Sequence, residues 1–220
     1  MNRKDVRARI EEIGILPSVR VYTKELAVFA AETVYAAGIP IVEITLTVPG
    51  ALEVINELAI RYPDMAVGAG TVLDRALAQS AIDAGARFVT SPGFIPEVVA
   101  YSAKAEVAVF PGAMTPSEII AGWKAGADFV KIFPASAIGG AQYVRALKAP
   151  LPQIRLIVTG GVNQLTACDF IAAGAAAIGV GGELLPGEAL AFHQENRIHE
   201  LARRFLTMVK EGRSMRETYY

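Results

Sequence analysis

The chain is poor in the residues on which several protein classes depend. It has one cysteine, Cys168, and two histidines, His193 and His199, in 220 residues. One thiol cannot close an internal disulfide, and neither histidine has a cysteine or carboxylate at metal-ligand spacing, so no disulfide framework and no metal centre are expected. Cys168, in the helix-like run LTACDFIAAG, reads as packing, as does the single tryptophan, Trp123. An excess of one charge is also missing: 21 Lys+Arg against 22 Asp+Glu leave a formal net charge of -1. With no basic patch to gather phosphodiester counterions, nucleic acid is not an expected partner. Nowhere do eighteen apolar residues run together, and the opening MNRKDVRARIEEIG is charged and amphipathic where a signal sequence has an apolar core. No membrane partner and a cytoplasmic location are therefore expected.

What the chain has is 53% hydrophobic residues, 20 glycines and a repeated unit. A helix-period stretch ends in an Ala/Gly turn and a short β-rich run follows, in AAGIPIVEITL, AGARFVTSPG, AGADFVKIFP and AAGAAAIGVGG. Gly38, Gly85, Gly126 and Gly174 would close the helices. The same grammar predicts strands near residues 15–21, 40–46, 65–70, 86–91, 107–111, 128–132, 154–159 and 175–180. Helices are predicted near 24–37, 50–61, 74–84, 95–104, 116–125, 140–148, 163–173 and 188–211. Thr115 ahead of Pro116-Ser117-Glu118, and Asn163, supply helix-start signals. Strict alternation implies a parallel sheet, and eight units make a single-domain (β/α)8 TIM barrel of class α/β the expected fold over residues 1–220. An amphipathic helix over residues 2–12 would cap its bottom, and the tail GRSMRETYY reads as polar and frayed. An open doubly wound sheet is the alternative, but GAGTVL at Gly68 lacks the third glycine and the acidic partner of a dinucleotide fingerprint.

In a barrel the informative polar residues stand at the C-terminal ends of strands. Lys131, in Phe129-Val130-Lys131-Ile132-Phe133-Pro134, is an amine in apolar surroundings, the setting of an imine-forming nucleophile. A structural lysine reaching for water is the competing explanation. Glu43, in Ile41-Val42-Glu43-Ile44-Thr45-Leu46-Thr47, is a carboxylate in an equally apolar run, and burying it alone would be expensive. If both point inward, each supplies the partner the other requires, and together they form the minimum set for imine chemistry: an amine to attack a ketone and a carboxyl to move protons. Gly68-Ala69-Gly70-Thr71 and Arg20 close the third and first strands with groups able to receive a carboxylate. Thr159-Gly160-Gly161-Val162 and Gly179-Val180-Gly181-Gly182 close the seventh and eighth, where barrels commonly hold phosphate on backbone N–H groups.

Six motifs, Val42-Glu43-Ile44-Thr45, Gly68-Ala69-Gly70-Thr71-Val72, Ser91-Pro92-Gly93, Pro111-Gly112, Lys131-Ile132-Phe133-Pro134-Ala135 and Thr159-Gly160-Gly161-Val162, occur in an order and spacing that resembles the 2-keto-3-deoxy-6-phosphogluconate / 4-hydroxy-2-oxoglutarate aldolase family. The resemblance spans residues 13 to about 210. It implies a class I aldolase in which Lys131 forms a Schiff base with pyruvate and Glu43 is the acid/base. It further implies that Thr71 holds the pyruvyl carboxylate, that Pro92 and Phe133 shape the pocket, and that Thr159, Gly160 and Gly161 line its distal end. Members use no metal and form homotrimers, so no cofactor and a trimer are implied here.

Two positions depart from the family pattern. Many members carry a carboxylate-binding arginine where this chain has Thr47, and Arg20, across the adjacent strand end, is the candidate replacement. At Gly182 the family pattern has a serine, and Glu183 beside it brings a negative charge toward the expected phosphate. The expected reaction is cleavage of 2-keto-3-deoxy-6-phosphogluconate to pyruvate and glyceraldehyde 3-phosphate, with release of glyoxylate from 4-hydroxy-2-oxoglutarate as a second activity. An unphosphorylated or galactonate-type keto acid is the alternative substrate. Two other readings are a sugar-phosphate isomerase, which a chelator would test if metal-dependent, and a non-catalytic sugar-phosphate-binding barrel, whose affinity Lys131→Ala would leave unchanged.

Overall fold

The computed structural model describes residues 1–219, with side chains as far as Arg216. Nine parallel strands, β1 (Ile15–Val19), β2 (Ile41–Thr45), β3 (Ala66–Gly70), β4 (Phe88–Thr90), β5 (Ala108–Phe110), β6 (Gly112–Ala113), β7 (Val130–Ile132), β8 (Leu156–Thr159) and β9 (Ala177–Val180), run in the order β5-β4-β3-β2-β1-β9-β8-β7-β6. They fill the eight expected positions, because β5 and β6 are one strand interrupted at Pro111. Proline has no N–H to give the β4 side of the ladder. Its carbonyl still accepts from Lys131 N–H at 2.8 Å, and Val109 O accepts from Asp128 N–H at 3.1 Å, so the fifth strand touches both neighbours and the ring closes. An open doubly wound sheet is thereby excluded.

Helices α2 (Lys24–Ala36), α3 (Ala51–Arg61), α4 (Arg75–Asp83), α5 (Pro96–Lys104), α6 (Pro116–Lys124), α7 (Gly140–Lys148) and α8 (Ala167–Ala172) cover the ring after α1 (Arg3–Ile13). The expected helix starts and stops have physical counterparts. The Thr115 side chain accepts from Glu118 N–H while Glu118 accepts from Thr115 N–H, a capping box with Pro116 in the first turn. Gly38, Gly85, Gly126 and Gly174 all take positive φ, from 88° to 106°, at the helix ends.

Three boundaries differ from expectation. Helix α8 starts later than residue 163, because the Asn163 side chain accepts from Leu165 and Thr166 N–H and forms a turn ahead of the helix. The last helical segment is two helices, α9 (Gly187–Ala191) and α10 (Glu195–Tyr219), broken where His193 takes φ 50° and tilts its ring against Phe29. Both histidines were expected on one helix; His193 lies in the break. The tail does not fray before residue 219. A side chain on Gly212 would stand 2.6 Å from Cys168 O, so glycine lets α10 lie close on α8, and Arg213 donates to Glu12 O at 2.8 Å. Tyr220 and the Tyr219 side chain lie outside the described residues. No helix among the described residues is long and apolar enough to cross a membrane.

Helix α1 lies across the N-terminal ends of the strands, with Val6 and Ile10 fully buried. Arg3 Nε reaches both oxygens of Asp128 at 3.0 and 2.9 Å, and Glu11 pairs with Arg155 at 2.7 Å. Asp128, its side chain 5% exposed, also accepts from Val109 N–H at 3.0 Å. Asp128→Ala strips a buried N–H and a guanidinium of their acceptor at once, and should cost about 1–3 kcal/mol. Urea unfolding would read this as a lower midpoint at constant slope, and an unmoved midpoint would show that the clamp carries no stability.

Candidate active site

Residues two apart on a strand share a face, so the barrel interior is built in layers. Phe88 and Phe129, fully buried, stand two residues before Thr90 and Lys131. With Phe110 they form an aromatic floor, Phe88 stacked on Phe110 and Phe129 edge-on to it, both with centroids 5.2 Å apart. Above this floor the inward residues turn polar.

Glu43 is at the centre of that polar layer, its side chain 3% exposed. Ser18 Oγ donates to its Oε1 at 2.8 Å and Thr90 Oγ1 donates to its Oε2 at 2.7 Å. Lys131 Nζ stands 3.7 Å from Oε2 and 3.5 Å from Thr90 Oγ1, and 5.7 Å above the Phe133 ring. A carboxylate is acceptor-only, so two hydroxyl protons and one ammonium compensate its burial. Space for it is made by Gly70: a Cβ there would fall 2.4 Å from Glu43 Oε1.

This layer opens into a cavity of about 590 Å³ at the C-terminal end of the strands. Of the sequence-predicted site residues, Arg20, Glu43, Thr71, Pro92, Lys131, Phe133, Thr159, Gly160, Gly161, Gly181 and Gly182 line it. Arg20 is exposed at the mouth. Thr71 holds the left-handed backbone region at φ 61°, a conformation that non-glycine residues adopt mostly where function or a special turn requires it. Gly160, at φ 86°, passes so close to the β7 connection that a Cβ would fall 2.8 Å from Pro134 Cα. Glu183 lines the cavity next to Gly182, as expected from its position in the sequence.

Thr47 is not brought into this site. The turn after β2, closed by Val48 N–H on Thr45 O at 3.0 Å, carries it to an exposed position where its hydroxyl meets Thr45 Oγ1 at 2.8 Å. The expected substrate contact is therefore replaced by a bond within the turn. Two residues that line or border the polar layer were missed by the sequence reading, Ser18 and Thr90. A usable signal existed for each: Ser18 lies between Leu16 and Arg20 at strand spacing, and Thr90 stands two residues before Pro92, on the same inward face.

A larger cavity, about 900 Å³, lies among Glu11, Lys148, Arg155, Arg213 and Arg216 at the opposite end of the barrel. Its cations are committed to structure. Lys148 donates to Pro152 O at 2.7 Å and Ile154 O at 2.8 Å, Arg213 to the end of α1, and Arg155 to Glu11. Burial, then the nearby Arg216 and Arg155, hold the Lys148 ammonium below the usual lysine range. The arrangement binds loops together, and the chemistry lies at the other end.

Comparison with known proteins agrees with the geometry. A family model described as KDPG and KHG aldolase matches residues 6–201. The KHG/KDPG aldolase of Escherichia coli K12 is 33% identical over 189 residues, covering 86% of this chain and 89% of that protein. The crystal structure of a KDPG aldolase from Legionella pneumophila, with pyruvate captured as a covalent carbinolamine, superposes with a TM-score of 0.83 at 32% identity, over 89% of this chain and 95% of that one. A chain of a designed porous cage made by fusing symmetric oligomeric domains superposes with a TM-score of 0.85 at 29% identity, over 94% of this chain and 76% of that one. With an amine and a carboxylate at the base of the barrel mouth and a family model matching most of its length, the chain belongs to the KDPG and KHG aldolase family.

Proposed function

We propose that the chain is a single-domain class I aldolase that reversibly cleaves 2-keto-3-deoxy-6-phosphogluconate to pyruvate and glyceraldehyde 3-phosphate, with 4-hydroxy-2-oxoglutarate as a second substrate. The observation that carries this is the Lys131–Glu43 pair, 3.7 Å apart above a closed aromatic floor and open to solvent on one side only. Lys131 attacks the C2 ketone, and loss of water leaves an iminium that serves as electron sink. Glu43 takes the C4 hydroxyl proton, the C3–C4 bond breaks, and its electrons pass to C2–N as an enamine. The aldehyde departs, Glu43 returns a proton to C3, and water releases pyruvate and the free amine.

The pyruvyl carboxylate is assigned to Thr71 and Arg20. A guanidinium forks onto a carboxylate with two parallel bonds, and Arg20 makes no ion pair within the described chain. Pro92 and Phe133 flank the reacting carbons. The distal phosphate is assigned to the turns at Thr159, Gly160 and Gly161 and at Gly181 and Gly182. Glu183 favours a second reading, an unphosphorylated keto acid, because its carboxylate lines the same end and repels a phosphate. We further propose a homotrimer, on the family resemblance and on the match to the oligomeric cage domain.

Borohydride added with pyruvate should leave a reduced adduct on Lys131, seen by peptide mass, and Lys131→Met should lose it. Retained turnover without adduct would refute the imine route. In the same assay Arg20→Met should raise the half-saturating pyruvate concentration by about tenfold, the worth of one charge-assisted bond. Steady-state comparison of the 6-phosphorylated substrate with its unphosphorylated form decides between the two readings: phosphate recognition predicts a kcat/KM at least about a hundredfold higher for the former. Light scattering should return the mass of three chains.

A further inference from the structure

A class I aldolase must deprotonate its lysine before the amine can attack, and this barrel holds a side chain suited to carry that proton. Thr90 is fully buried on β4, between Glu43 on β2 and Lys131 on β7. Its hydroxyl touches both, 2.7 Å from Glu43 Oε2 and 3.5 Å from Lys131 Nζ. The direct separation of amine and carboxylate is 3.7 Å, outside hydrogen-bonding range.

We infer that Thr90 is a catalytic proton relay between Lys131 and Glu43, a role that rests on the aldolase reading above. A carboxylate can only accept, so the Thr90 hydroxyl proton is directed at Oε2, which leaves an oxygen lone pair for the ammonium. The wire is thus already oriented for transfer. An Nζ–H bond breaks and its electron pair stays on nitrogen. That proton forms a new bond to Oγ1, while the original hydroxyl proton leaves Oγ1 for Oε2. The net change is ammonium and carboxylate to amine and carboxylic acid, with the threonine unchanged. The amine attacks C2, and the proton stored on Glu43 then goes to the oxygen of the carbinolamine, which departs as water. Glu43 is returned to the ionised state that it needs to take the C4 proton.

Ser18 sharpens the assignment. By holding Oε1 at 2.8 Å it turns the other oxygen, Oε2, toward Thr90 and Lys131. Ser18 touches no reacting atom and is a positioning residue. Nothing in the fold calls for a hydroxyl at residue 90: its neighbours Phe88, Val89 and Phe110 are buried apolar groups, among which valine would pack equally well.

The test is the rate of imine formation with pyruvate, quenched by borohydride and read as adduct on Lys131, in the wild type, Thr90→Val and Thr90→Ser. Thr90→Val keeps the shape and removes the hydroxyl, and should slow trapping by about tenfold or more, the lower range of general acid–base contributions. The half-saturating pyruvate concentration should stay within about twofold, and Thr90→Ser should return the rate to within about threefold of wild type. Trapping by Thr90→Val at the wild-type rate would overturn the relay while leaving the aldolase intact. So would a serine variant as slow as the valine one, since the loss would then be steric. No adduct on the wild-type protein would remove the aldolase reading itself, and the relay with it.

Discussion

A carboxylate sealed inside an apolar barrel is the constraint from which the rest of this structure follows. Left alone, Glu43 would cost several kcal/mol of desolvation. Its compensation arrives from three other strands: Ser18 on β1, Thr90 on β4 and Lys131 on β7. No local segment could gather them. Only a closed ring brings β4 and β7 within reach of β2, and only glycine at residue 70 leaves room for the carboxylate between them. Fold and site are therefore one problem, in which the ring must close in register for the charge to be paired.

The layering explains why this chemistry has one way in. Phe88, Phe110 and Phe129 fill the barrel below the polar layer, and α1 covers the strand ends beneath them. Water and substrate reach Lys131 from the mouth alone. Low dielectric on the closed side strengthens every charge interaction in the layer. The glycine turns on the open side keep backbone near the space where a long keto acid would lie.

Much of this was legible in the sequence because the signals were violations of pattern. A carboxylate and an amine in continuous apolar runs, Ile41 to Leu46 and Phe129 to Phe133, are costly enough that each implies a partner. The (β/α)8 alternation and its glycine caps were legible for the same reason, since only helix ends of this type require positive φ. Ser18 and Thr90 escaped notice because a small hydroxyl in a strand breaks no rule until its neighbour is known. The interruption at Pro111 hid inside one predicted strand, and Thr47 was placed at the site by resemblance when the local turn sends it outward. The tail beyond Gly212 looked unstructured because what holds it, α8 and the end of α1, is far away in sequence.

The pairing of β1 with β9 has a meaning for the life of the chain. Ile15 lies beside Ile178, and Gly14 O accepts from Ile178 N–H at 3.0 Å, so the seam joins the first strand to the last. During synthesis β1 leaves the ribosome long before its second neighbour exists, with one edge unpaired throughout. The polar layer cannot assemble until that seam is sealed, because β7 reaches β2 only around a finished ring. A nascent chain of this protein therefore carries its reactive lysine and its carboxylate as ordinary solvated groups, and reactivity appears late and all at once.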